Sequence, residues 1–95
     1  MHVTVTFRHM DPTDALKEFA EDKLARIQKY LDWPLDANVV LSTERFQHVA
    51  EVSATVRGGT FNGAERSEDM YVSIDRAVEK LERQVVKFKE KMQRR

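Results

Sequence analysis

From His2 to His9 apolar and polar residues alternate, Val3, Val5 and Phe7 on one side and Thr4, Thr6 and Arg8 on the other. That period of two predicts a half-buried strand. The pattern breaks at Asp11-Pro12-Thr13-Asp14, which reads as a helix start. Proline suits the first turn because its missing N–H has no intrahelical partner to lose, and either Asp11 or Thr13 can cap the free amides. Leu16, Phe19, Ala20, Leu24, Ile27 and Leu31 then recur at helical spacing up to Trp33-Pro34. They predict an amphipathic helix of about five turns. Residues 38–45 read as a second strand, its faces left open because Val39, Val40 and Leu41 run together. Val52, Ala54 and Val56 alternate with polar residues in a third, Gly58-Gly59 offers a positive-φ pair for a tight hairpin, and residues 60–64 return as a short fourth. Ser67, Glu68 and Asp69 place a hydroxyl and negative charge at another helix start, and no Gly or Pro interrupts the chain from there to Arg95.

This last helix has a straight seam. At 100° per residue Met70, Ile74, Ala77, Val78, Leu81, Val85, Phe88 and Met92 fall within about 60° of one direction. The order β-α-β-β-β-α with two amphipathic helices predicts an α+β fold: a two-layer sandwich, its four-stranded sheet carrying both helices on one face and three of its strands forming an antiparallel meander.

Length permits one core and no more, so residues 1–95 are expected to form a single domain. With 41% hydrophobic and 34% charged residues the chain has a globular composition, not a disordered one. It has no cysteine, which excludes a disulfide framework, a thiol nucleophile and any cysteine-based metal centre. Val39-Val40-Leu41 is its longest aliphatic run, far below the roughly 18–20 residues of a membrane helix, and no secretion signal is visible. The expectation is a cytosolic protein with no membrane association.

Net charge is zero, from 16 basic and 16 acidic residues, which on average argues against a nucleic-acid binder. The average hides a segregation. Residues 1–68 hold eight Lys or Arg against eleven Asp or Glu, while residues 69–95 hold eight against five. On the wheel of the last helix Arg76, Lys80, Arg83, Lys87, Lys91 and Arg94 share one arc and Asp75, Glu79, Glu82 and Glu90 the neighbouring one. Lys23, Arg26 and Lys29 line one flank of the first helix's apolar stripe. The plain reading of such rows is a solvated helix face. Glu79–Arg83 and Glu90–Arg94 also have the favourable i, i+4 order, though each such pair contributes only ~0.2–0.5 kcal/mol and yields easily to a phosphate. If the helices pack side by side, the two rows are expected to meet across the groove between them, making a cationic channel for a polyanion.

Catalytic constellations are missing. His2, His9 and His48 lack metal-site spacing, Asp69 and Asp75 stand about 120° apart on their helix, and the glycines do not make a phosphate loop. Asp69 suits a helix cap better than acid–base work. Tyr30 and Tyr71 read as core or rim residues, and Phe46 falls near a strand end. No cofactor, metal or small-molecule substrate is expected.

The segment Asp69-Met70-Tyr71-Val72-Ser73-Ile74-Asp75, followed by Lys80-Leu81-Glu82-Arg83-Gln84, Lys87 and Lys89, resembles the signature of the ribosome hibernation-promoting factors, also called sigma-54 modulation proteins or ribosome-associated inhibitors. Thr13-Asp14-Ala15-Leu16, Lys23-Leu24, Lys29-Tyr30, Glu51-Val52 and Gly58-Gly59 extend the resemblance over essentially the whole chain. It implies a non-enzymatic translation inhibitor in the decoding region of the small ribosomal subunit, where it occupies the path of messenger RNA and the transfer-RNA sites. The partners implied are the small subunit, the whole ribosome and 16S ribosomal RNA. The family's RNA-contacting residues match Lys23, Arg26 and Lys29 on the first helix and Lys80, Arg83, Lys87 and Lys91 on the second; Arg76 joins them on the wheel. The chain is similar to the short form that, with ribosome modulation factor, favours paired, inactive ribosomes. Phe7 and Pro12 depart from the family's usual residues, so the turn into the first helix is expected to differ. The competing readings are a protein-interaction module that modulates a transcription factor and a double-stranded-RNA-binding domain.

Overall fold

A computed structural model describes residues 1–93. The elements follow in the order β1 (His2–Arg8), α1 (Asp14–Gln28), β2 (Asp36–Glu44), β3 (Gln47–Val56), β4 (Gly59–Ser67) and α2 (Met70–Gln93). The sheet order is β1-β2-β3-β4, with β1 parallel to β2 and the other neighbours antiparallel. A parallel pair needs a crossover, and α1 is that crossover. The expected α+β sandwich is therefore present as a mixed sheet, with β1 and β4 at its edges.

Alternation decides which face is covered. Val3, Val5 and Phe7 pair with Ala37, Val39 and Leu41 in register, all on the helix side, which settles the ambiguous run: Val39 and Leu41 are buried and Val40 turns to the other face. Ala50, Val52, Ala54 and Val56 complete the sheet's side of the core; Leu16, Ala20, Leu24 and Ile27 from α1 and Met70, Ile74, Ala77, Val78, Leu81 and Val85 from α2 close it.

Local chemistry differs from the sequence expectation at several ends. Thr13, not Asp11, caps α1: its backbone is extended and its Oγ1 accepts from the Leu16 amide at 3.1 Å. α1 is shorter than expected, stopping at Gln28, because Tyr30 and Leu31 donate to the carbonyls three residues back and tighten the chain. Gln28 then bridges the Trp33 carbonyl and the Leu35 amide, so Leu31 is buried from a turn. The positive-φ pair of the β3–β4 hairpin is Arg57-Gly58, not Gly58-Gly59. Val56 pairs with Gly59, which leaves a two-residue loop whose twist requires left-handed φ at both loop positions. β4 also runs on to Ser67, longer than residues 60–64. The turn after Phe7 bends at His9, with φ 57°, and Thr43 Oγ1 donates to the His9 carbonyl at 2.6 Å to hold it.

α2 begins where Asp69 Oδ1 accepts from the Tyr71 amide at 2.9 Å. Its seam is buried as far as Val85 and half-buried at Phe88. Met92, expected in the seam, is exposed, because it lies about 6 Å further along than Phe88, which packs at the hairpin end of the sheet. Arg94, assigned to the basic arc and to a Glu90 pair, lies outside the described residues, as does Arg95.

Candidate nucleic-acid interface

Helix α2 lies against α1 on one side and against β4 on the other, and the two sides are built differently. On the α1 side a groove is lined by Lys23, Arg26 and Ile27 from α1 and by Asp75, Val78, Glu79 and Glu82 from α2. Lys23 Nζ meets Asp75 Oδ1 at 2.7 Å with only 20% of the lysine side chain exposed. Lys89 Nζ donates to the Tyr30 carbonyl, and Phe19 meets Tyr71 edge-on at 5.0 Å. The expected meeting of two basic rows across this groove is therefore wrong. With its apolar seam seated on β3 and β4, α2 turns its acidic arc, not its basic one, toward Lys23 and Arg26. Opposite charges line the groove, and the expected cationic channel does not form there.

The basic arc of α2 lies on the β4 side and outward. Arg76, Lys80, Arg83, Lys87 and Lys91 are all exposed. Lys80 Nζ pairs with Glu65 Oε1 at 2.9 Å and donates to the Ala64 carbonyl at 3.2 Å. The Lys80 ammonium, through its hydrogen bond, holds the Glu65 carboxyl below its ordinary range, with Arg76 adding to the attraction. Arg83 touches Glu79 at 3.9 Å, an exposed i, i+4 contact of small worth. Among the described residues no ion pair engages Arg76, Lys87 or Lys91. Arg26 and Lys29 on α1 are exposed as well. The rows thus sit on one layer of the molecule, separated by the carboxylates of the interhelical groove.

Two features place α2 so close to β4. Gly63 has no side chain under the helix: a Cβ there would come within 2.3 Å of the Ala77 carbonyl oxygen. Gln84 uses both ends of its carboxamide on one residue of the sheet edge, accepting from the Asn62 amide at 3.2 Å and donating to the Asn62 carbonyl at 2.5 Å. It satisfies edge groups that would otherwise recruit another strand. At the start of α2, Ser73 is fully buried and donates to the His48 carbonyl at 2.7 Å. Residue spacing alone did not mark Gln84, Ser73 or Gly63, since each depends on which strand lies beneath the helix.

Other singled-out residues fall in separate places. Phe46 is 89% exposed at the tip of the β2–β3 turn, next to Arg45 with φ 55°. Tyr30 and Tyr71 are rim residues. His2 lies 3.4 Å from Asp36, His9 bends the turn after β1, and His48 keeps a buried Nδ1 with no partner among the described residues. Among the described residues no three His, Cys, Asp or Glu side chains converge on a metal position, and no helix is long and apolar enough to cross a membrane.

Residues 3–93 match the family described as sigma 54 modulation protein / S30EA ribosomal protein. The chain belongs to this family. It is 34% identical over 92 residues to the ribosome hibernation promoting factor of Escherichia coli, covering 97% of each chain. Its identity to the protein of that name from Azotobacter vinelandii is 33% over 91 residues, 96% of this chain and 85% of the other. Among solved structures, the N-terminal domain of Thermus thermophilus Protein Y is similar with a TM-score of 0.88 at 39% identity, over 93% of this chain and 99% of that one. A ribosomal subunit interface protein from Coxiella burnetii follows at 0.84 and 30%, over 95% and 99%. Membership accounts for the β-α-β-β-β-α order.

Proposed function

We propose that this protein is a ribosome hibernation factor of the cytoplasm, a non-enzymatic inhibitor that docks on 16S ribosomal RNA in the decoding region of the small subunit. Family membership and the hibernation-promoting relatives support the ribosome as partner. The observation that carries the mode of binding is the exposed row Arg76, Lys80, Arg83, Lys87 and Lys91 along one flank of α2. Phosphate recognition needs charge and reach, and a row on a rigid helix supplies both at little entropic cost. Arg26 and Lys29 extend the contact from α1, while Lys23, tied to Asp75, serves the fold and reaches RNA only by exchanging its partner. Bound there, the domain fills the path of messenger RNA and the aminoacyl- and peptidyl-site transfer RNAs by occupancy, without covalent change. Working with ribosome modulation factor, it holds ribosomes in inactive pairs.

Sedimentation of the purified protein with separated subunits and whole ribosomes through sucrose gradients tests this reading. Travel with the small subunit at low salt and release at high salt is the expected result. Five phosphate contacts from the α2 row predict a log–log salt slope of about −4 by the counterion rule. Protein that stays at the top of the gradient at low salt refutes the reading, and salt-independent binding would transfer the contact to a protein partner.

A further inference from the structure

The β4 flank ends in a groove that charge alone does not explain. Phe61 from β4 and Gln84, Lys87, Phe88 and Lys91 from α2 line a depression of about 330 Å³, at the small end of the roughly 300–1,000 Å³ range of ligand sites. None of these five residues is a carboxylate, whereas three line the interhelical groove. The Phe61 and Phe88 rings meet edge-to-face with centroids 5.2 Å apart, and Trp33 buttresses Phe88 from behind at 6.5 Å. Both rings are only half-buried. Cations lie over two other aromatic rings of the protein, Lys23 over Phe19 and Arg57 over Trp33, but among the described residues none covers Phe61 or Phe88. The Gln84 carboxamide, fixed on Asn62, closes one end. Gly59 keeps the hairpin low beneath the rings, since a Cβ there would stand 2.9 Å from Phe61 Cζ and 3.1 Å from Phe88 Cε1.

An open aromatic surface rimmed by two lysines, neither ion-paired among the described residues, has a specific chemical match. A duplex hides its bases, so a protein reaches a base through rings only where the strand is unpaired. Lys87 and Lys91 stand one helical turn apart, about 6 Å along the axis, on the order of the separation of neighbouring phosphates. We infer that this groove seats one unstacked nucleotide of single-stranded RNA, its base against Phe61 and Phe88 and its flanking phosphates on Lys87 and Lys91. The inference rests on the ribosomal-RNA reading for the source of that strand. It adds to phosphate contact a second element, selection of an unpaired nucleotide over a helix.

The test is a titration of the isotope-labelled protein, followed by its aromatic NMR signals, with hexauridylate and with an abasic ribose-phosphate chain of equal length. Hexauridylate is expected to shift the Phe61 and Phe88 ring signals to saturation and the abasic chain to leave them still. Phe88→Leu should weaken hexauridylate binding roughly tenfold, in line with the worth of one base–ring stack, and leave abasic binding unchanged. Phe61→Leu serves as a second variant should Phe88→Leu prove too unstable to measure. Lys87→Gln with Lys91→Gln should weaken both probes. Equal shifts from both chains, or ring signals that move with neither, would overturn the inference. Sucrose-gradient sedimentation run in parallel separates the two ideas. Sedimentation with the small subunit while the rings ignore hexauridylate sinks the nucleotide groove alone; saturating ring shifts in a protein that ignores ribosomes uphold the groove and sink the ribosomal reading.

Discussion

The two flanks of α2 carry charges of opposite sign and use them for different ends. Toward α1, three carboxylates, Asp75, Glu79 and Glu82, face two cations, Lys23 and Arg26, and Lys23 closes on Asp75. Toward β4, Lys80 finds Glu65, but Arg76, Lys87 and Lys91 have no such partner among the described residues. A formal net charge of zero is therefore compatible with binding a polyanion, because Asp75, Glu79 and Glu82 line the groove toward α1 while Arg76, Lys87 and Lys91 stand on the other flank. What matters is which cations remain uncompensated after packing, a property of the fold and not of the composition.

That contrast can be broken from the structural side first. Gly63→Ala drives a methyl group into the Ala77 carbonyl, which backbone atoms cannot evade without moving α2 off β4. A loss of about 3 kcal/mol, or a fall of roughly 10–20 °C in the thermal midpoint by calorimetry, is expected. Charge reversal at Arg83, Lys87 and Lys91 together comes next: small-subunit affinity should drop at least ~100-fold, about 2.7 kcal/mol, while the midpoint stays within a few degrees. Gln84→Ala strands the Asn62 amide and carbonyl at an edge open to water and should cost about 1 kcal/mol by denaturant unfolding.

Smaller effects sharpen the comparison. Asp75→Asn should release Lys23, costing less than about 1 kcal/mol of stability as a part-exposed pair while raising ribosome affinity. Glu65→Gln should likewise release Lys80. Because Glu65 is held below its ordinary range in the folded protein, its contribution is present above that range and disappears as pH falls through the lowered value. The variant's unfolding midpoint should accordingly vary less with pH on the acid side than the parent's.

Much of the fold was legible where an element had a clean period: β1 in Val3, Val5 and Phe7, and α2 in a seam correct through Val85. What failed were the ends and the angles. The stop at Gln28 depends on its own side chain folding back to Trp33 and Leu35, and the left-handed pair moved one residue to Arg57-Gly58 because Gly59 was needed to pair with Val56. The same limit governs the candidate site. A helical wheel sorted α2's charges into two arcs but could not say which arc faces α1, since that angle is set by where the apolar seam meets β3 and β4. A channel between the helices was the natural expectation, and a basic flank beside the sheet edge is what forms.

The central claim is that the β4 flank of α2, not the interhelical groove, carries the RNA contact. Small-subunit affinity measured across a salt series for two neutralised variants tests it most directly: one with Arg76, Arg83, Lys87 and Lys91 changed to glutamine, the other with Lys23, Arg26 and Lys29 so changed. The account predicts that the first loses most of the affinity and flattens the log–log salt slope by about 3 to 4, near 0.7–0.9 per lost contact, whereas the second keeps the greater part of both. Equal losses in the two variants, or a steeper loss in the second, would contradict it.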